Sequence, residues 1–87
     1  MKIEKLTEDV FKITVSGVLV TQHEVTVTGV AYHHLTSGRI TKEELLRFSF
    51  KFLLEREPNT SILSKFDISV ISHYFPEYES ELLQILS

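Results

Sequence analysis

The stretch EDVFKITVSGVLVTQHEVTVTGVAYHHLTSG, Glu8 to Gly38, decides the fold class, because the polarity period changes inside it. From Phe11 to Thr28 the period is two. Phe11, Ile13 and Val15 point one way and Lys12 and Thr14 the other; His23, Val25 and Val27 then share a side opposite Gln22, Glu24, Thr26 and Thr28. Alternation of this kind, rich in β-branched residues, belongs to strands covered on one face. Gly17 falls where a turn between them is needed. Upstream, MKIEKL supplies a third strand with TED as its turn. After Gly29 the alternation stops, and VAYHHLTSG predicts a short helix ended by Gly38, a residue suited to a left-handed cap.

Working outward, TKEELLRFSFKFLLEREP (Thr41 to Pro58) predicts the main helix over residues 42–57. Thr41 is a natural N-cap, and Glu44 three residues on completes a capping box. Glu43 and Glu44 suit the positive end of the helix dipole. Pro58 ends the helix, since the residue before a proline is driven out of the α region. Asn59 or Thr60 is expected to cap a short helix, Asp67 another across ISVISHYF, and Pro76 fits the first turn of a last helix, PEYESELLQILS. The sum is an α+β chain of one domain, residues 1–87. An N-terminal antiparallel meander of two to three strands (1–28) packs on about four helices (29–87), with helix 42–57 at the centre.

That helix is greasier than a surface helix needs to be. Projected at about 100° per residue, Leu45, Leu46, Phe48, Phe50, Phe52, Leu53 and Leu54 span an arc of roughly 240°, against a stripe of roughly 100° for a simple amphipathic helix. Glu43, Arg47, Lys51 and Glu55 form the narrow polar seam, spaced for i,i+4 pairing. A small sheet covers one side and the later segments a second. Apolar surface left over points to a partner, with a symmetric dimer the usual solution. Phe50 and Leu54 are assigned to the side turned away from the sheet. Tyr78, Leu82 and Ile85 of the last helix make a second apolar stripe. These five residues are the expected interface of a homodimer or of a protein partner.

Composition narrows the function classes. The chain has no cysteine, so disulfides and thiolate chemistry are excluded. No apolar run approaches the roughly 18 residues of a membrane span, and MKIEKLTEDVF carries no signal-peptide core, which makes a cytoplasmic protein the expectation. The net charge is −3, and no Lys or Arg occurs from Phe66 to Ser87. Nucleic-acid association is therefore the secondary reading. Arg39, Lys42, Arg47, Lys51, Arg56 and Lys65 are interleaved with Glu43, Glu44, Glu55 and Glu57, and Phe48 and Phe52 are better used as core than as base-stacking platforms.

No motif for chemistry emerges. His33 and His34 are adjacent, so on a helix they diverge, and His23 and His73 lie far from them in sequence. The serines sit in no Gly-x-Ser-x-Gly elbow, and LTSGRIT lacks the glycines and lysine of a phosphate loop. The sequence assigns no catalytic, cofactor-binding or metal-ligating residue, and the expectation is a non-enzymatic interaction module.

The segments EELLRFSFKFLLEREPNTSIL and FDISVISHYFPEY resemble a group of short, uncharacterised prokaryotic proteins, over residues 20 to 80 approximately. The resemblance implies a bacterial or archaeal cytosolic protein standing alone as one domain. It implies no activity, cofactor or binding residue.

Overall fold

A computed structural model of the chain describes residues 1–87. Four strands form one sheet in the order β1-β2-β3-β4: β1 Lys2–Lys5, β2 Val10–Ser16, β3 Val20–Thr26 and β4 Lys65–Asp67. The first three are an antiparallel meander, with Ile3 opposite Ile13 and Ile13 opposite His23. β4 joins β3 in parallel, with Phe66 in register with Val25. The helices are α1 Gly29–Thr36, α2 Lys42–Leu54, α3 Val70–Tyr74 and α4 Tyr78–Leu86, with a single 3-10 turn at Asn59–Ser61.

The α+β class and the meander are as expected, and the sheet gains one strand. The segment in which Asp67 was to cap a helix enters the sheet instead. Asp67 accepts from the backbone N–H and the hydroxyl of Ser69 and turns the chain out of β4, and α3 is only five residues long. Asn59 and Thr60 do not open an α-helix either, since the 3-10 turn there has no side-chain cap. α2 starts as read. Thr41 Oγ1 accepts from Glu44 N–H, and the Glu44 carboxylate accepts from Thr41 N–H. That backbone hydrogen bond first, and the Thr41 hydroxyl second, hold Glu44 below the usual carboxylate range. The helix ends at Leu54, three residues short of the expected 57. The positive-φ residues after α1 are Ser37 and Gly38, so the left-handed cap begins one residue early.

The alternation of β2 and β3 sorts the sheet into two faces. Phe11, Ile13, Val15, His23 and Val25 lie buried against the helices. The other face is open and polar. One row across it runs Glu4, Lys12, Glu24, Lys65 in register, so opposite charges alternate from strand to strand.

α2 lies between this sheet and α4, which accounts for its wide apolar arc. Toward the sheet, the Phe50 ring packs on His23 and Phe66, with centroids 5.4 and 6.2 Å away. Toward α4, Phe48 and Phe52 pack on Tyr78 at 5.8 and 5.2 Å. The assignment of Phe50 to the side away from the sheet is therefore corrected: it is fully buried under the sheet. Tyr78 and Leu82 are likewise fully buried, and form the inner face of α4 rather than an interface. Burying aromatic and leucine side chains stabilises by about 1.5–3 kcal/mol each, so α2 and α4 have strong reason to spend these residues on one another. Of the five expected interface residues, Leu54 (39% exposed) and Ile85 (55%) reach the surface.

Candidate functional site: an apolar groove at the sheet edge

The chain between α2 and α3 crosses the end of the sheet and leaves a groove beneath β4. Leu53 of α2 forms its floor with Ile62 and Ile71, and Phe66 of β4 closes one side. Leu63 and Tyr74, at 50% and 65% exposed, stand at its mouth. The cavity measures about 310 Å³, and eight of its ten lining residues are hydrophobic. Glu57 and Ser61 are the polar exceptions.

Two polar devices hold the groove's walls. The first is Asn59, buried although it is polar. Its Nδ2 donates to the Leu19 carbonyl at 2.8 Å and to Thr21 Oγ1 at 2.9 Å, with a longer approach of 3.4 Å to the Val15 carbonyl. Asn59 thus ties the 3-10 turn to the β2–β3 hairpin. Gly17 makes room for it, because a Cβ there would lie 2.7 Å from Asn59 Oδ1. The glycine is needed for this close approach rather than for a left-handed turn, as Gly38 is the glycine with positive φ.

His23 continues the network. Its Nδ1 lies 2.7 Å from the Leu63 carbonyl, which can only accept, so Nδ1 carries the proton. In the neutral ring Nε2 then accepts from Thr21 Oγ1 at 2.8 Å, and that oxygen in turn accepts from Asn59. The chain Asn59–Thr21–His23–Leu63 leaves no buried side-chain polar atom unpaired. It fixes the Leu63 main chain while the side chain stays at the surface.

The second device is Arg56, two residues past the end of α2. Its Nε donates to Glu77 at 3.0 Å, Nη2 to Glu81 at 2.8 Å and Nη1 to the Phe52 carbonyl at 2.9 Å. The guanidinium also stacks on the Phe52 ring, 3.5 Å from its centroid. Glu77 is held below the usual carboxylate range, first by its own backbone N–H and then by Arg56. α2 and α4 are thereby joined beside the groove.

A second cavity, of about 380 Å³, lies between α1 and the β4–α3 turn. Six of its nine lining residues are polar, and its His34 pairs with Glu79 at 3.5 Å. The four histidines stay apart. His23 is committed to the buried network, His33 packs on Tyr32, and His73 packs on Tyr74. No three His, Asp or Glu side chains converge on a point that could hold a metal ion.

Several of the cations weighed for nucleic-acid binding are engaged within the chain. Lys42 binds Asp9 and the Glu8 carbonyl, Arg39 the Leu86 carbonyl, Lys65 Glu24, and Arg56 three glutamates. No helix is long and apolar enough to cross a membrane.

Sequence reading missed the groove because its walls come from four separate segments between Leu53 and Phe75, none distinctive alone. A signal was nevertheless present: Ile62, Leu63, Val70, Ile71 and Phe75 exceed what short elements need to pack one face. Comparison with known families, curated proteins and solved structures finds no match.

Proposed function

We propose that this chain is a small non-enzymatic protein-interaction module, acting in the cytoplasm of a prokaryote, that receives apolar side chains of another polypeptide in the groove between β4 and α3. One observation carries the reading: an open apolar cavity of about 310 Å³ is flanked by exposed Leu63 and Tyr74 and held by a fully paired buried network. Binding sites are concave and mostly apolar, and preformed walls reduce the ordering cost of association. A lone Glu57 carboxylate and Ser61 offer little for orienting a reacting group. Nucleic-acid association is the weaker reading, since the open sheet face alternates charge and presents no aromatic residue along its central row.

Self-association through the helix surface is the alternative to this reading, with reduced means. Leu54 and Ile85 are still available to it, joined by Leu83, which is 61% exposed.

The test is a photo-crosslinking amino acid placed at Leu63 and at Tyr74 in cells, with Thr14 on the open sheet face as the comparison position. Discrete adducts from the groove positions, absent from Thr14, are expected. Adducts of equal yield from all three positions, or none, would overturn the reading. An adduct of twice the 10.1 kDa chain mass would identify the partner as a second copy.

A further inference from the structure

The groove has a neighbour that says how a partner would lie in it: the unpaired edge of β4. In the parallel β3–β4 ladder, Glu24 N–H donates to the Ser64 carbonyl and Ile68 N–H to the Thr26 carbonyl, with Phe66 in register with Val25 between them. Residues 64, 66 and 68 therefore face β3. By the alternation of a strand, the N–H and C=O groups of Lys65 and Asp67 face the other way. β4 is the last strand of the sheet, so these four groups have no strand beside them.

We infer that a partner docks by strand addition: an extended segment pairs with the free edge of β4 as a fifth strand and drops alternate apolar side chains into the groove. The inference rests on the interaction reading and specifies its mode. Phe66 links the two features. It belongs to the edge strand and also walls the groove, so a strand laid along β4 places every second side chain over the cavity. Side chains between those would emerge on the open face beside Lys65 and Asp67. The occupant is thus an amphipathic extended peptide, apolar at positions i and i+2, polar between, with a carboxylate favoured next to Lys65.

The opposite edge of the sheet supplies an internal comparison. β1 also has a free side, along which lie Lys2, Glu4 and Lys5, and neither of the two cavities described above reaches it. Charged residues on an edge discourage pairing, and both edges carry them, Lys65 and Asp67 lying on β4. Main-chain hydrogen bonds alone do not distinguish the edges; only β4 adds an apolar site for the side chains.

The probe is a capped heptapeptide of alternating threonine and valine, titrated into isotope-labelled full-length protein and followed by NMR. Saturation should slow amide exchange at Lys65 and Asp67 by tenfold or more, shift the resonances of Leu63, Phe66 and Ile71, and leave β1 amides unchanged. An analogue N-methylated at alternate residues, on the side that would face β4, should bind at least tenfold more weakly, as should the parent peptide to Leu63→Glu protein. Groove shifts without slowed exchange, with the methylated analogue binding equally well, would overturn strand addition and leave the interaction reading standing. Slowing at β1 equal to that at β4 would also overturn it, as indiscriminate edge pairing. No groove shift with either peptide at millimolar concentration would count against both.

Discussion

Replacing Ser49 with alanine should destabilise the protein more than replacing the larger residue it touches. Ser49 sits fully buried in the middle of α2, where its hydroxyl lies 2.7 Å from the Leu45 carbonyl and 2.7 Å from the Tyr78 hydroxyl. The carbonyl can only accept, so Ser49 donates to Leu45 and Tyr78 donates to Ser49. In Ser49→Ala the Tyr78 hydroxyl keeps its burial and loses its acceptor, a cost of about 1–3 kcal/mol. In Tyr78→Phe the donor leaves with its bond, and Ser49 still donates to Leu45, so the cost is about 1 kcal/mol. In the double variant both partners are gone and the site is apolar, which is close to neutral. The cycle therefore predicts a favourable coupling of roughly 2–4 kcal/mol between the two residues. Urea unfolding with circular dichroism would read it. For a slope of about 1 kcal/mol per molar, Ser49→Ala shifts the midpoint downward by on the order of 1–3 M. Equal single-variant costs, or additive behaviour of the pair, would refute the reasoning.

The same burial pushes the Tyr78 phenol up to about 12 from its ordinary 10. The raised value favours the neutral form in the folded state. Its contribution is therefore present below pH 10 and is lost as pH rises through 12, with stability falling by on the order of 2 kcal/mol across that window; in Tyr78→Phe this part of the decline should be missing from denaturation midpoints. Gly17→Ala should destabilise by about 1–3 kcal/mol, because Asn59 is held by its own hydrogen bonds and cannot retreat from the added methyl. Combining it with Asn59→Ala should abolish that increment in thermal melts. Phe50→Ala should cost about 3–5 kcal/mol, since the ring is fully buried, whereas Leu54→Ala should cost under about 1 kcal/mol in the same unfolding assay.

Local signals carried most of the fold. Strand alternation from Phe11 to Thr28 and the Thr41–Glu44 box translate directly into structure, because backbone pairing and capping are decided within a few residues. β4 was not legible for the opposite reason. Lys65–Asp67 offers one apolar residue, too short for a period, and its partner β3 lies some 40 residues back in the chain. The direction of Phe50 was hidden by the width of the apolar arc on α2. A helix apolar on most sides has two core faces, and its own projection does not say which one meets the sheet. Tyr78 and Leu82 misled in a related way, since an apolar stripe reads the same whether it packs on α2 or on another molecule. The groove needed the tertiary structure outright, because His23 on β3 holds the Leu63 main chain while Asn59 ties the turn before it to the β2–β3 hairpin.

The central claim is that α2 spends its apolar surplus inside the chain, so that the groove at β4 is left as the docking feature. Light scattering after size-exclusion chromatography, over a wide concentration range, tests this most directly. The account predicts a single species at the 10.1 kDa mass of one chain, unchanged by Leu54→Glu and Ile85→Glu. A mass twice that, persisting on dilution and reduced by either substitution, would contradict it and restore the helix surface as an isologous interface.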